Sequence, residues 1–395
     1  MNPLIINQKF LIKLYTTFAV AMFVTPLQSS AGYLILLSLI FCCITSKITL
    51  RTSDRIYILM FAIAFVLYII FMLSEFVNIY VSFRNNAIII FSIGVLLTIF
   101  RYNELEKDTK SIFYYDILYY ILLFFVFFYL LKFAIGYLGN WSGRMYDRKS
   151  FPFGYHHVDF SIIVILCFIF GIRRAHYISS SLLVLFSWLI LPARTSRLFF
   201  ILFLFFFVLF KIKELRRRIL FFFPKSVFSF CIIVFVLCML FALFFVLVLP
   251  NFMEVKDTHA GLYDTSNKDR FTGFLYALQI IWDKKLFLKG IFPSSQYSQL
   301  IPKSSYITEV PPHSSFLSLI LYYSIIFGGL YLFGIARWMQ KKYTLSVKDG
   351  CILLSYIITS LILHDMLIGP RFFAFFCFMS IPIRETGKKF RHFAF

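Results

Sequence analysis

The feature that most constrains this chain is the recurrence of long apolar runs from one end of the sequence to the other. The typical run is about 17 to 25 residues long, which lets a helix cross about 30 Å of hydrocarbon. Of the 395 residues, 61% are hydrophobic and only 14% are charged. A water-soluble fold cannot cover that much apolar surface. The sequence therefore predicts an all-α integral membrane protein.

The positions of the apolar runs predict about twelve transmembrane helices in a single polytopic membrane domain, residues 1–395. One long polar insert, residues 251–313, interrupts them and is predicted to contain an interfacial amphipathic helix. The predicted spans are residues 8–26, 31–46, 56–74, 86–101, 113–138, 158–172, 177–193, 197–211, 227–250, 314–336, 350–367 and 370–383.

The distribution of Lys and Arg predicts the orientation of these spans. The formal net charge is +21, and most basic residues fall in alternate loops, such as Lys47 to Arg55 and Arg173 with Arg174. The positive-inside rule then puts both termini in the cytoplasm and the polar insert on the opposite side. Contact with anionic lipid headgroups accounts for the basic charge, so nucleic acid is not an expected partner.

The seven cysteines all lie inside apolar runs, and the polar insert contains none. This placement favours packing residues over a disulfide framework or a thiolate metal site.

A few basic residues lie on the side that the charge rule leaves nearly neutral. Orientation does not explain them, and anion binding is the natural alternative. They are Arg144, Arg148, Lys149, Arg194, Arg197, Lys268, Arg270 and Arg371.

Arg194 and Arg197 stand where one predicted span ends and the next begins. Pro192 is predicted to end the first helix, and Thr195 or Ser196 to cap the second. Guanidinium groups at a helix N-terminus form a strong anion site, because the exposed N–H groups add their dipole. The alternative is a pair of interfacial arginines that extend to the headgroups.

Arg270 opens an amphipathic stretch, 269–282, that is too short to span a bilayer. We expect it to lie along the membrane interface, with Leu278, Ile281 and Trp282 among the side chains turned to lipid. The alternative for Arg270 is a salt bridge with Asp269 or Asp264.

His313 follows two prolines and directly precedes a predicted span. A histidine held there can accept a proton from a sugar hydroxyl near neutral pH, although an ordinary helix-capping role is the alternative. Weaker groups are His156 and His157 with Asp159, and His364 and Asp365 with Arg371. Their spacing fits no familiar metal motif, so we expect chemistry without metal or cofactor.

Three segments resemble the O-antigen ligase and polymerase superfamily of bacterial membrane glycosyltransferases. They are Thr195 to Leu198 at a span mouth, the helix led by Arg270 with the run Leu286 to Gly290, and His313 to Leu317 after the long loop. In the family the span after the histidine usually carries a Gly-x-x-Gly pattern. Here Ser324 and Phe327 occupy those positions, and Gly328 and Gly329 follow.

The resemblance implies a metal-independent glycosyltransferase of the bacterial inner membrane. Its donor would be an undecaprenyl diphosphate-linked oligosaccharide, and its active site would be periplasmic. Arg197 and Arg270 would hold the diphosphate and stabilise it as it leaves, with Arg194 and Arg371 as supporting cations. His313 would be the general base on the acceptor hydroxyl or lie beside it. A chain-length regulator would be a possible partner.

Three functions remain open at this point. An O-antigen polymerase would extend another lipid-linked repeat unit, and the departure from the glycine pattern favours it. An O-antigen ligase would transfer the glycan to lipid A core. A flippase of lipid-linked sugars is the third, but its class usually places ionisable groups at the bilayer midplane, where this chain is nearly all apolar.

Overall fold

The structure is a computed structural model that describes most of the apolar runs and part of the polar insert. The residues described are 3–45, 51–75, 81–99, 109–139, 153, 157–191, 193–212, 276–291, 314–343, 347–362 and 366–382. Every regular element within these ranges is a helix. The predicted all-α class is therefore confirmed for the described part of the chain.

The described helices coincide with the predicted spans to within a few residues, apart from one that is divided in two. The predicted span at 227–250 lies outside the described residues. The helices are α1 (Pro3–Val24), a 3₁₀ turn (Leu27–Ser30), α2 (Ala31–Thr45), α3 (Thr52–Glu75), α4 (Val81–Ile99), α5 (Thr109–Gly139), α6 (His157–Arg173), α7 (Tyr177–Ile190), α8 (Arg194–Lys211), α9 (Ser315–Tyr323), α10 (Ile325–Tyr343), α11 (Val347–Ile362) and α12 (Gly369–Ser380). Residues 276–283 form a further short helix between α8 and α9.

Two of the described helices are long and apolar enough to cross a membrane, at Thr52–Ser74 in α3 and Phe113–Ile135 in α5. Only 28% and 33% of their most apolar windows are buried inside the protein. The core helix of a water-soluble protein hides most of its surface, whereas these helices leave theirs for lipid to cover. The chain is a membrane protein, while the total of twelve spans and their orientation stay predictions.

The chain divides into two compact units, each assembled from separate parts of the sequence. The first unit contains Met1–Thr49, Ile99–Ile201 and Gly369–Phe395, and the second contains Leu50–Thr98 and Leu202–Ile368. The first and last helices of the described chain therefore belong to the same unit.

Helix α6 is the centre of the first unit and contacts α5, α7 and α12. Every residue from 160 to 171 is buried, as is every residue from 372 to 380 in α12. The rings of Phe170 and Phe378 stack with centroids 4.6 Å apart. Close side-chain packing of this kind holds helices together in a membrane, where the hydrophobic effect contributes little to helix association.

Arg173 and Arg174, at the end of α6, are both buried. The sequence predicts for them only a role in membrane orientation. Arg174 is 0% exposed, and its Nε donates to Asp116 at 2.9 Å. Arg173 donates to the carbonyl of Ile381 at 2.5 Å, and Arg174 to that of Pro382 at 3.4 Å. These carbonyls follow the last turn of α12, so the two guanidinium groups fix the end of that helix.

Helix α10 is the centre of the second unit and contacts α3, α9 and α11. The ring of Phe327 lies among those of Phe61, Phe65 and Tyr68, with centroids 5.1 to 5.3 Å away. Aromatic pairs at this separation contribute about 0.5–1.5 kcal/mol each beyond the area that they bury.

The predicted span at 314–336 is not one continuous helix, because the structure breaks it at Ser324, and whether the segment crosses the membrane stays a prediction. Helix α9 ends at Tyr323, Ser324 has φ 71° and ψ 159°, and α10 begins at Ile325. This backbone conformation is essentially restricted to glycine. Ser324 is one of the two positions at which the resemblance described above expects glycine.

Three of the cysteines described, Cys167, Cys351 and Cys377, are buried and free, as expected of packing residues. Cys43 is also free but exposed.

Candidate functional site

The junction between α7 and α8 brings Arg194 and Arg197 to one end of the first unit. Helix α7 ends at Ile190, and Leu191 is extended with φ −87° and ψ 125°. A residue before proline is pushed toward this conformation, which explains why the helix stops there. The predicted helix end before Pro192 is confirmed.

Arg197 folds back from the first turn of α8 onto the last turn of α7. Its Nη2 donates to the carbonyl oxygens of Leu191, at 3.2 Å, and Trp188, at 3.3 Å. Its guanidinium carbon lies 5.9 Å from the centre of the Trp188 ring, a cation–π distance. One edge of the guanidinium is thus used to hold the side chain in place.

The positive charge of Arg197 has no carboxylate partner among the residues that the structure describes. Its Nε is buried and, within the same residues, makes no hydrogen bond. A fixed guanidinium with an uncompensated charge is suited to an anionic ligand, since carboxylate and phosphate groups are its preferred partners.

The predicted capping role of Thr195 and Ser196 is wrong. Helix α8 begins at Arg194, so both residues lie inside its first turn. The Ser196 hydroxyl donates to the carbonyl of Ala193 at 3.3 Å and does not accept from an N–H group. Arg194 at the head of the helix is exposed.

Arg371 is positioned differently from Arg197, although both belong to the first unit. At the start of α12 it forms a close ion pair with Asp159, in the first turn of α6. Both side chains are about one-quarter exposed. The charge of Arg371 is therefore compensated within the protein, and Asp159 is a partner that the sequence did not single out for it.

Arg270 and His313, the other predicted site residues, lie outside the described residues. The helix at 276–283 falls within the stretch predicted to be amphipathic. It buries Ala277 and Ile280, leaves Trp282 83% exposed, and half-exposes Leu278 and Ile281. The exposed apolar side chains include those predicted to face lipid.

Ser314, which directly follows His313, begins the second unit's helix α9 as its N-cap. Its backbone is extended, with φ −138° and ψ 116°, and its side chain makes no capping bond. The next residue, Ser315, accepts a hydrogen bond at its Oγ from the N–H of Leu367 at 3.1 Å. The first turn of α9 is thus fixed against the segment that precedes α12.

The described residues hold no group of three or more His, Cys, Asp or Glu side chains arranged for a metal ion. Metal-independent chemistry stays a prediction.

Comparison with known proteins gives one match. Residues 182–323 match the family model described as O-antigen ligase. No curated protein and no solved structure matches the chain.

The matched segment contains the junction with Arg194 and Arg197, and it also includes Arg270 and His313. It ends at Tyr323, the last residue of α9, directly before the break at Ser324. Arg371 lies outside it. The match of residues 182–323 supports the resemblance of this chain to the O-antigen ligase and polymerase superfamily.

Proposed function

We propose that this protein is an O-antigen polymerase, which transfers a glycan from an undecaprenyl diphosphate-linked donor to a lipid-linked repeat unit on the periplasmic face of the bacterial inner membrane. The observation that carries the proposal is Arg197, whose side chain is held on two carbonyl oxygens and whose charge has no carboxylate partner among the described residues. It lies inside the segment that matches the family.

The chemistry requires one bond to form and one to break. An acceptor hydroxyl oxygen attacks the anomeric carbon, the bond from that carbon to the diphosphate oxygen breaks, and undecaprenyl diphosphate leaves with the electron pair. His313 takes the proton of the acceptor hydroxyl. Arg197 and Arg270 stabilise the negative charge that develops on the diphosphate, and Arg194 and Arg371 support them.

Preorganised arginines explain how the reaction proceeds without a divalent cation. Arg197 needs little reorganisation when the leaving group forms, because Trp188 and Leu191 already hold its guanidinium. A donor fixed before the reaction stabilises developing charge more than a mobile one does.

The second candidate function is O-antigen ligase, which uses the same donor and transfers the glycan to lipid A core. The matching family model carries this description, and the match supports ligase and polymerase alike. Ligase and polymerase differ in their acceptor and share the arginine chemistry.

The decisive experiment is a gel profile of cell-surface lipopolysaccharide from a strain without this gene, beside the complemented strain. Core that carries a single repeat supports the polymerase, because ligation survives. Core without glycan, with polymerised lipid-linked chains accumulating, supports the ligase instead. Unpolymerised repeat that accumulates on the cytoplasmic face overturns both and indicates a flippase.

The same assay tests the two residues outside the described part of the chain. Arg270→Ala and His313→Ala should each abolish long glycan chains while the protein still inserts in the membrane. Long chains of normal length from either variant remove that residue from the mechanism.

A further inference from the structure

Residues 286–291 in the second unit, here called the strap, run from the helix at 276–283 toward the break between α9 and α10. The helix ends with Lys284 N–H donating to the carbonyl of Ile280 at 3.0 Å. Lys285 then adopts a left-handed conformation, with φ 48°, and turns the chain into the strap. Such a left-handed residue is a common way to end a helix.

The strap is hydrogen-bonded to both sides of the helix break. Ile291 N–H donates to the carbonyl of Leu321 in α9 at 2.9 Å. On the other side, the N–H groups of Ile325 and Ile326 in α10 donate to the carbonyls of Leu286, at 2.8 Å, and Phe287, at 3.1 Å. The strap thus connects the end of one helix to the beginning of the next.

These bonds satisfy N–H groups at the start of α10 that have no partner within the helix, and in a membrane an unsatisfied group costs several kcal/mol. The strap accepts from Ile325 and Ile326. The Oγ of Ser324 accepts from Phe327 at 3.1 Å, and the helical bonds begin with Gly328, which donates to the carbonyl of Ser324 at 3.0 Å.

The strap fits because Gly290 has no side chain. A Cβ added at Gly290 would collide with the carbonyl of Tyr322, the residue before the last in α9. That carbonyl also accepts a hydrogen bond from Tyr68 at 3.1 Å, so it is not free to move away. Gly329, in α10, offers a contrast, since a Cβ there would have no atom within 4 Å.

We propose that the strap is a positioning element for transfer, and that Gly290 and Ser324 are its positioning residues. The inference rests on the proposed function. Arg270 precedes the helix that leads into the strap, and His313 directly precedes α9. The strap continues the helix at 276–283 and is hydrogen-bonded to α9 and α10, so it holds these described elements in one register. The proposal is that this register sets the rate of transfer.

The test uses the purified full-length protein with a defined undecaprenyl diphosphate-linked repeat unit as donor and acceptor. Gly290→Ala should lower kcat by up to about 100-fold, the loss that a misplacement of about 1 Å can cause, and leave KM within about twofold. Gly329→Ala is the matched control and should keep the wild-type kcat. Rates are normalised to folded, monodisperse protein, so that a loss of folded protein alone does not register as a loss of kcat.

A second pair of variants tests the same element if Gly290→Ala does not fold. Ser324→Gly keeps the backbone conformation at the break and should retain most of kcat. Ser324→Val strains that conformation, because a β-branched side chain disfavours positive φ, and should lose it.

The outcomes separate the two proposals. If the wild-type protein transfers no glycan from the lipid diphosphate, the proposed function fails. If the wild-type protein is active and Gly290→Ala keeps its kcat, or if Ser324→Gly and Ser324→Val are equally active, the strap is only structural and this inference is overturned.

Discussion

An arginine donates to backbone carbonyl groups at each end of α7. The two arginines differ in how their positive charge is compensated. At the α6–α7 junction, Arg174 is fully buried and bonded to Asp116 at 2.9 Å, with the ring of Tyr115 beneath its guanidinium. At the α7–α8 junction, Arg197 is half-buried and lies on Trp188, with no carboxylate partner among the described residues.

This difference is why we propose a structural role for Arg174 and a functional role for Arg197. A buried guanidinium must be paired, because an isolated charge inside a low-dielectric region costs a large amount of free energy. Arg174 meets this requirement within the protein. Arg197 is only half-buried and has no carboxylate partner among the described residues, so an anionic substrate is the partner that we propose for it.

The largest expected effect is on stability, at Arg174. Arg174→Met should lower the free energy of unfolding by up to about 3–5 kcal/mol, because it leaves the partly buried carboxylate of Asp116 with only His176 beside it, at 3.1 Å. The apparent melting temperature and the monodisperse fraction of the detergent-solubilised protein measure this.

The control removes both charges at once. The double variant Arg174→Met with Asp116→Leu should recover most of the lost stability, since replacement of a whole buried pair is often neutral. A double variant as unstable as the single one would show that the ion pair is not the cause.

The second effect is on activity, at Arg197. Arg197→Ala should lower glycan transfer by at least about 100-fold, the usual loss when one preorganised donor to a developing anion is removed. Its melting temperature should fall far less than that of Arg174→Met. Transfer at the wild-type rate would contradict the contrast between the two junctions.

A smaller effect is expected when the charge at position 197 is kept. Arg197→Lys should retain partial activity, about 10-fold below wild type, because Lys provides a point charge without the planar pair of donors. Full activity of this variant would mean that the charge alone matters. The same lipid-linked transfer assay, with matched protein amounts, measures the difference.

The smallest effect is expected at Arg371, whose charge Asp159 already compensates. Arg371→Ala should lower transfer only a few-fold, since an exposed ion pair contributes little and the arginine is partly occupied. A loss as large as that of Arg197→Ala would assign Arg371 to the diphosphate in spite of its pairing. Asp159→Asn is the matched control, because it releases the arginine without removing it.

The helices and the α7–α8 junction could be predicted from the sequence, because local signals determine them. The apolar runs give the positions of α6, α7 and α8 to within a few residues. Pro192 gives the end of α7, and the charge rule makes Arg197 a candidate for anion binding. These features depend on residues that are close in the sequence and on the hydrophobicity of each run. Both can be seen in the sequence.

The remaining features depend on partners that are distant in the sequence. Ser324 sits in an apolar run without a proline, and its break exists because Leu286 and Phe287 accept the N–H groups of α10. In the same way, the sequence alone shows Arg173 and Arg174 only as charges in a loop. Their role becomes visible in the structure, where they donate to the carbonyls that follow α12. The pairing of Arg371 with Asp159 also spans most of the chain.

The hydrogen bonds from Arg173 and Arg174 to the end of α12 can form only after α12 has been synthesised. The acceptor carbonyls are 208 residues further along the chain than the guanidinium groups that bind them. At about 5–20 residues per second, the ribosome supplies them roughly 10–40 s later. Asp116 precedes both arginines, so it is available to pair with Arg174 before α12 has been synthesised. A chain that stops before α12 never receives these carbonyl acceptors, which makes the last helix the step that completes the first unit.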